Sequence, residues 1–288
     1  MIATTLRGGL GNQMFIYAAT RAMALRNNTE MTFNMHYGFD MDHQFHRKLE
    51  LSNLNVQYGL PCSIATFDYR LSRYTRYISR KFGCNILQPQ YQFMVEKEPP
   101  FFQKEIVELH SKNVYLEGYW QSEKYFADYK YQIRNDFKII TKMSGAVEEE
   151  LSQMRQGTEN IVFIGIRRYQ DCAITTPGMV LEEDYYNKAI QLMESKLSNP
   201  KFVVFTQQPE WAKEHLVSNS PIKYATPKEG YLSTIEDMYL MIHCRHAIIS
   251  NSSFYWWGAW LSEFEDGIVI CPTNFNNRDM ALDGWIKL

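Results

Sequence analysis

Cysteines are few and widely spaced in this sequence, which contains five of them in 288 residues. Their number is odd and no two of them form a CxxC pair; they are Cys62, Cys84, Cys172, Cys244 and Cys271. A disulfide framework and a zinc knuckle both depend on paired or closely spaced cysteines. The sequence therefore argues against both kinds of small, cross-linked fold.

Long apolar runs and a strong excess of charge are also missing. No 18 consecutive residues are apolar, and Met1–Ala3 leads into Leu6–Gly9 without the apolar stretch of a signal peptide. We therefore expect a cytoplasmic protein. The formal net charge is −2, and no basic block stands out beyond a modest cluster near 70–81, so a nucleic-acid partner is not expected.

Motifs of several enzyme classes are absent as well. There is no Walker motif and no cluster of metal-binding carboxylates, which argues against a kinase or a phosphatase. His43 and His46 stand three residues apart beside Asp40 and Asp42, but such a spacing in a polar loop is more typical of solvated side chains than of a metal pair. With 45% apolar and 22% charged residues, the chain has the composition of a globular protein.

The segment 161–168, IVFIGIRR, is the strongest single feature. Its apolar, largely β-branched run predicts a buried parallel strand, which places Arg167 and Arg168 at the carboxyl end. Ligands bind at that end in open α/β sheets, and an arginine fork suits a pair of phosphate oxygens. For the strand taken alone, an arginine pair in a structural salt bridge is an equally good interpretation.

The rest of the second half alternates between strand and helix patterns, which predicts a doubly wound parallel sheet. The predicted strands after 161–166 are 202–206, 222–224, 247–249 and 268–271, and the predicted helices are 182–196, 210–216, 234–243 and 256–261. Polar side chains follow two of these strands. Thr206 is positioned to cap the helix that Pro209 begins, and the segment Ser250–Phe254 carries hydroxyls and amides that suit an anion, although an ordinary N-cap explains it equally.

The amino end shows the order strand, glycine turn, helix. A strand at Ile2–Leu6 breaks into Arg7–Gly11, and an apolar helix face follows. This arrangement can leave free N–H groups for an anion, but ordinary turn chemistry accounts for it as well. The amides of Asn12 and Gln13 can cap this helix and reach a ligand hydroxyl or phosphate. Farther on, 114–121 predicts a buried strand, whereas 63–100 resembles a helical insertion at the surface.

Four motifs together resemble a known family: GGLGNQMF at 8–15, LEGYWQSEKYF at 116–126, EDMYLM at 236–241 and ISNSSFYWWGAWL at 249–261. They are similar to the bacterial α-1,2-fucosyltransferases of glycosyltransferase family eleven, along nearly the whole chain. The resemblance implies a GT-B fold, in which two Rossmann-type doubly wound α/β domains face a cleft. It also implies a GDP-fucose donor, inversion at the anomeric carbon, a galactosyl 2-hydroxyl as acceptor and no metal or other cofactor. The runner-up interpretations are a transferase for another GDP-sugar and a decayed, non-catalytic homologue that binds a nucleotide or glycan.

The chain departs from the family pattern at the central strand. The family usually has His-x-Arg-Arg-Gly-Asp there, whereas Gly165 replaces the histidine and Gln170 the acidic residue, with Asp171 one position later. The family's acidic pair before Pro-Glu-Trp is Gln207-Gln208 in this chain. No role of that histidine or aspartate can be transferred to this chain.

The resemblance and the strand-end argument together assign roles to individual residues. Arg167 and Asn12 are the expected catalytic contacts, with Arg167 on the β-phosphate and Asn12 reaching the fucose or the β-phosphate. Asp171 is a candidate base, with Asp40, Asp42 and His43 as alternatives. The expected donor-binding residues are Gly11, Gln13, Arg168, Thr206, Asp237, Asn251, Ser252, Ser253 and Phe254. Asp237, or Glu236 beside it, would accept from guanine, although first-turn helix capping explains Asp237 as well.

Two domains are expected from the position of the polar helical segment near 139–160. The first, 1–145, would be the acceptor side with a variable insertion near 60–105, and the second, 155–288, would bind the GDP-sugar. The expected partners are GDP-fucose and a galactose-terminated glycan. Peripheral association with the inner membrane is compatible with this reading, and the sequence sets no oligomeric state.

Overall fold

The structure is a computed structural model that describes residues 1–40, 42–43, 46–58, 92–168, 180–275 and 277–288. The chain divides into two compact units, Met1–Lys138 and Ile139–Leu288. Each unit contains a parallel sheet with helices packed on it.

Unit 1 contains a four-stranded parallel sheet within its described residues, in the order β2-β1-β4-β3. The strands are β1 (Ile2–Thr5), β2 (Met31–Asn34), β3 (Gln92–Val95) and β4 (Val114–Glu117). β1 lies between β2 and β4, and all residues of β2 are buried. The carboxyl ends of β1 and β4 are therefore neighbours at one edge of the sheet.

The main helix of unit 1, α1 (Leu10–Arg26), is buried on most of its surface rather than on one face. Its alanines allow close approach, and Phe15, Tyr17 and Met14 are fully buried. The shorter helices are α2 (Lys104–Val107) and α3 (Lys130–Asp136), with a π-helical turn and three 3₁₀ turns at His36–Asp40, Leu51–Asn53, Glu123–Tyr125 and Ala127–Tyr129. A helix buried nearly all round is typical of an element enclosed by its domain.

Two expectations for unit 1 are corrected. Gln92–Val95 is a strand, although the sequence favoured a helical insertion from 63 to 100; the remainder of that insertion, up to 91, lies outside the described residues. The strand predicted at 114–121 ends at Glu117, and three residues later Trp120 adopts a left-handed backbone conformation with φ 54°. The turn after β4 is therefore shaped by tertiary contacts that a strand pattern does not reveal.

Unit 2 contains a six-stranded parallel sheet within its described residues, in the order β10-β9-β8-β5-β6-β7. The strands are β5 (Ile161–Ile166), β6 (Lys201–Thr206), β7 (Ile222–Tyr224), β8 (His246–Ile249), β9 (Val269–Cys271) and β10 (Ile286–Lys287). The chain runs outward from β5 to β7, then returns to pair β8 with β5 and runs outward the other way. This is the strand order of Rossmann-type sheets, and its reversal point lies between β5 and β8.

Helices connect the strands of unit 2 much as the alternating pattern predicts. They are α4 (Gly145–Arg155), α5 (Glu183–Lys196), α6 (Pro209–His215), α7 (Ser233–Ile242) and α8 (Ser253–Trp260). Most predicted boundaries of strands and helices lie within one or two residues of the observed ones, and β7 matches fully. The exceptions are α8, which begins three residues earlier than predicted, and β10, a two-residue strand with no sequence signal.

The core of unit 2 lies under β5, where all six residues of the strand are buried. Val162, Ile164 and Ile166 face a cluster with Ile190 and Phe202. On α8, Trp256 and Trp257 are fully buried, and the indole N–H of Trp256 donates to the carbonyl of Met280 at 2.7 Å. The tryptophans of α8 are therefore core residues, and the site must use the polar amino end of that helix.

His246, the first residue of β8, is buried in its neutral form. Its Nδ1 accepts a hydrogen bond from the backbone N–H of Ile268 at 2.9 Å, which requires an unprotonated nitrogen. Burial lowers the pKa of His246 from 6.5 to about 4, and the nearby charge of Arg245 adds to this shift. The unfolded chain therefore binds more protons than the folded one between these values.

We expect the protein to lose stability as the pH falls from about 6.5 toward 4, by at most about 3 kcal/mol from this group. Thermal unfolding of wild type and His246→Gln at pH 7 and pH 5 measures this acid-induced loss of stability. The glutamine variant should show a smaller acid-induced fall in Tm. An equal fall in both proteins would assign the acid sensitivity to other groups.

Candidate functional site

The carboxyl ends of β5 and β8 meet at the reversal point of the unit 2 sheet, and both are followed by polar residues. Gly165 pairs with Ile249, so Arg167 and the segment Ser250–Phe254 emerge side by side. One terminal nitrogen of Arg167, Nη1, lies 3.5 Å from the carbonyl oxygen of Asn251. The structure thus brings together the predicted residues Arg167, Asn251, Ser252, Ser253 and Phe254.

The segment Ser250–Phe254 leads directly into α8. Ser252 is the N-cap residue without a side-chain capping hydrogen bond, and the first turn carries no acidic residue. Ser250 and Ser252 are largely buried, whereas Asn251, Ser253 and Phe254 are half-buried. The N-terminal end of a helix favours negative charge, and with Arg167 beside it this edge suits an anion.

Arg168 is placed differently from Arg167, although the two are adjacent in sequence. Its guanidinium donates to the carbonyl of Leu181 at 2.8 Å and to the carboxylate of Glu182 at 2.7 Å, and it stacks 4.1 Å above the ring of Trp211. These contacts account for Arg168 as a structural ion pair. They favour that interpretation of the second arginine over contact with a donor.

Thr206 ends β6, beside the site, where it pairs with Ile166. Its hydroxyl accepts from the backbone N–H of Gln208 at 3.0 Å, and Gln208 rather than Thr206 is the N-cap of α6. The predicted capping role is therefore corrected by two positions, while Pro209 does occupy the first turn. The hydroxyl of Thr206 shapes the turn between β6 and α6.

Asp237 lies in α7 and forms an ion pair with Lys228, whose Nζ is 3.1 Å from its Oδ1. The side chain of Lys228 is only 8% exposed and also pairs with Glu150 at 3.3 Å. Burial raises the pKa of the Asp237 carboxyl, and the charge of Lys228 opposes that shift. The ion pair accounts for this carboxylate without a nucleotide.

In unit 1 a carboxylate of the protein itself occupies the start of α1. The backbone N–H of Leu10 donates to Oε2 of Glu50 at 3.0 Å, and α1 has Gly9 as its N-cap with no side-chain cap. Gly8 adopts a left-handed φ of 77°, as the turn requires. The expected capping by Asn12 or Gln13 is wrong, because both lie inside the helix, and ordinary turn chemistry explains the glycines.

Gln13 and Gly11 are buried within this turn. The Gln13 amide donates to the carbonyls of Gly8 and Lys48, both at 2.8 Å, and its oxygen accepts from the N–H of Glu50 at 3.0 Å. All of these partners are backbone groups of the protein. The placement favours a structural role for Gln13 and Gly11 over contact with a donor.

Asn12 is half-buried at the edge formed by the carboxyl ends of β1 and β4. Its side-chain oxygen accepts from the Gln121 amide at 2.9 Å. Nearby, the guanidinium of Arg7 stacks 4.7 Å from the centre of the Tyr119 ring. The edge of unit 1 therefore presents amides, an arginine and an aromatic ring, a combination that suits the hydroxyls and faces of a sugar.

Glu96, which the sequence did not single out, holds the turn at this edge. Its two carboxylate oxygens accept from the backbone N–H groups of Tyr119 and Trp120, at 2.7 and 3.0 Å. Burial raises the pKa of Glu96, and these two hydrogen bonds oppose the shift. Glu96 thus stabilises the left-handed Trp120, and its assignment to a helical insertion hid this role from sequence reasoning.

The remaining predicted residues fall into two groups. Asp171 lies outside the described residues, as do Tyr169 and Gln170. The carboxylate of Asp40 lies 2.8 Å from Nδ1 of His36, that of Asp42 accepts a hydrogen bond from the backbone N–H of Arg47, and His43 is exposed.

In the part of the chain that is described, no three His, Cys, Asp or Glu side chains group as they would around a metal ion. No helix in the same part has the length and apolar character needed to cross a membrane.

The model of the family named glycosyl transferase family 11 matches residues 1–287. The chain belongs to this family. The expected resemblance is confirmed, and glycosyltransferase is the activity that family membership supports.

Two similar proteins come from Escherichia coli and match along almost their full length. An alpha-1,2-colitosyltransferase is 29% identical over 100% of this chain and 99% of its own, and the O-antigen biosynthesis glycosyltransferase WbnK is 29% identical over 98% and 99%. The human galactoside alpha-(1,2)-fucosyltransferase 1 is 26% identical over 61% of this chain and 50% of its own.

Solved structures share the fold at low sequence identity. FUT1 of Arabidopsis thaliana, a mutant in complex with GDP, has a TM-score of 0.56 and 10% identity, covering 93% of this chain and 69% of its own. The fucosyltransferase NodZ from Bradyrhizobium has a TM-score of 0.52 and 14% identity, covering 89% and 91%. These likenesses confirm the predicted fold class, a GT-B-like α/β fold with Rossmann-type sheets.

We expect Asp237→Asn to act on stability rather than on nucleotide recognition. Lys228 would keep only Glu150 as a charged partner, at a cost of roughly 1 kcal/mol, or about 2–4 °C in Tm. Thermal unfolding checks the loss, and Lys228→Met should produce a larger one, because it leaves the carboxylates of Asp237 and Glu150 without their shared cation. Calorimetry with GDP supplies the second measurement, with Asp266→Asn as the matched control, since Asp266 pairs with Arg245 at the surface at 2.9 Å. A selective loss of GDP affinity of about tenfold or more in Asp237→Asn, the scale of a charged hydrogen bond, would instead assign this carboxylate to guanine.

Proposed function

We propose that the protein transfers fucose from GDP-fucose to the 2-hydroxyl of a galactosyl acceptor, with inversion and without a metal. One observation carries the proposal: in a member of glycosyl transferase family 11, Arg167 and the segment Ser250–Phe254 meet at the reversal point of the unit 2 sheet. That point is where open α/β sheets bind nucleotides. The human relative, a galactoside alpha-(1,2)-fucosyltransferase, supports the linkage, and the GDP complex of Arabidopsis FUT1 supports the nucleotide.

The chemistry places its main demand on the departing GDP. In an inverting transfer the acceptor oxygen attacks the anomeric carbon from the face opposite the nucleotide, and negative charge grows on the β-phosphate as its bond to the sugar breaks. Preorganised donors aimed at that charge contribute a few kcal/mol each in a site that excludes water. Without a metal, side chains and N–H groups of the protein must supply them.

In our proposal Arg167 is the principal donor to the β-phosphate. Ser252 and Ser253, together with the N–H groups at the start of α8, hold the remaining diphosphate oxygens, and Phe254 packs against the nucleotide. Asn12, on the edge of unit 1, binds hydroxyls of a sugar through its amide. Asp171 remains the candidate for the base that takes the proton of the acceptor hydroxyl.

A second donor is favoured by one specific finding, the 29% identity to an alpha-1,2-colitosyltransferase along the whole chain. Colitose differs from fucose by lacking the 3-hydroxyl, so the same diphosphate edge serves both donors. A site that hydrogen-bonds the 3-hydroxyl of fucose should strongly reject colitose, which lacks it. An apolar site that fits colitose should reject fucose much more weakly. The ratio of kcat/KM for GDP-fucose and GDP-colitose therefore separates these candidates.

The direct test is GDP release from GDP-fucose by the purified protein in EDTA, with lactose or a Galβ1-3GalNAc acceptor and NMR of the product linkage. We expect acceptor-dependent turnover and an α-1,2-linked product. Turnover with GDP-colitose alone would replace the donor and keep the reaction. GDP binding without turnover on any of these acceptors or donors would favour a non-catalytic homologue.

We expect Arg167→Ala to lower kcat by about 10²-fold or more, the scale of losing one donor to an oxyanion. Arg167→Lys should recover part of this loss, because it restores the charge but not the planar fork. Steady-state kinetics on both variants measure the effect. Arg245→Ala is the matched control, since Arg245 pairs at the surface with Asp266 at 2.9 Å. Near-normal turnover of Arg167→Ala would contradict the assigned role.

A further inference from the structure

Tyr255 covers the glycine at the end of the central strand. A Cβ atom added to Gly165 would lie 2.3 Å from Cγ of Tyr255, and 2.5 and 2.7 Å from its two Cδ atoms. These atoms belong to the rigid base of the ring, so a small rotation cannot relieve the overlap. Gly165 lies in extended strand backbone, which any residue can adopt. The glycine is therefore required by the ring above it.

The hydroxyl of Tyr255 reaches the ends of two strands. It lies 3.0 Å from the carbonyl oxygen of Phe205 in β6 and 3.3 Å from that of Ile166 in β5. Tyr255 is 6% exposed, so these contacts are shielded from water. Ile166 is the residue directly before Arg167, which ties this hydroxyl to the backbone that carries the guanidinium.

The same side chain stands in the first turn of α8, directly after Ser252, Ser253 and Phe254. One residue therefore spans the two halves of the unit 2 site, the end of β5 and the start of α8. Gly165 makes this possible, because any larger residue would push the ring, and with it the first turn of α8, away from the strand.

We propose that Tyr255 is a positioning residue that sets the distance between Arg167 and the segment Ser250–Phe254, with Gly165 as its seat. This inference rests on the proposed function, in which those two parts hold the diphosphate. Misplacement of a catalytic group by about 1 Å costs up to 10²-fold in rate.

The removal of the hydroxyl alone tests the proposal. Tyr255→Phe keeps the ring on Gly165 but loses the contacts to the two carbonyls. We expect kcat to fall about 10-fold, with an unchanged KM for the donor, because a misplaced Arg167 mainly affects the charge that grows in the transition state. GDP carries that extra charge on its β-phosphate, so its Kd should rise in parallel.

The matched control is Tyr17→Phe in unit 1, where a buried phenol donates to Asp136 at 2.9 Å and accepts from the N–H of Gln57 at 3.0 Å. Both variants lose two contacts of a buried hydroxyl, so both should lose about 2–4 °C in Tm. Only Tyr255→Phe should change kcat and the Kd for GDP. If Tyr255→Phe keeps both within twofold of wild type, the positioning role is overturned.

A double-mutant cycle tests the packing of the Tyr255 ring on Gly165. Gly165→Ala should lower Tm by more than about 5 °C in the wild-type background and by less than about 2 °C in Tyr255→Ala, since neighbouring residues couple. An equal fall in Tm in both backgrounds would overturn the proposed contact between position 165 and the Tyr255 ring. Failure of wild type to bind GDP would instead overturn the proposed function, which the cycle does not depend on. If wild type binds GDP without turnover, the Kd for GDP in Tyr255→Phe decides the positioning role.

Discussion

The reversal of strand order between β5 and β8 is the constraint on which the candidate site depends. The connections from β5 and β8 lead to opposite sides of the sheet, to β6 and to β9, and such a reversal forms a crevice at the carboxyl ends of the two strands. A buried strand cannot carry a charge within its length, so a guanidinium in this region has to stand where the strand ends. Arg167 occupies that position, and the hydroxyls that follow β8 are its neighbours for the same reason.

The sequence predicts the fold of unit 2 well, because its strands are apolar runs and its helices begin and end with ordinary polar signals. β5, β6 and β8 each have a neighbouring strand on both sides, and they are apolar except for Lys201, Thr206 and His246 at their ends. β3 fails as a prediction because it is an edge strand with exposed and half-buried residues, so its composition resembles a surface segment. The two-residue strand β10 forms through its pairing with β9, and its own sequence does not predict a strand.

The site is predictable only in part, because residue type does not determine the partner. Arg167 and Arg168 are chemically identical neighbours, yet the strand geometry turns the second toward Glu182 and Trp211. Gln13 carries the amide expected of a ligand contact, but three backbone groups that lie close only in the fold use it fully. The roles of Glu96 and Tyr255 depend on contacts across the sheet, which sequence spacing does not encode.

The carboxylate of Glu50 at the start of α1 has an electrostatic consequence. The two glycine- or serine-rich turns of this chain look alike as motifs, but one of them carries its own built-in counter-charge. A phosphate approaching the amino end of α1 would be repelled by the carboxylate of Glu50, whereas a neutral hydroxyl would not be repelled. The amino end of α1 is therefore less suited to a phosphate than that of α8, where the first turn carries no acidic residue.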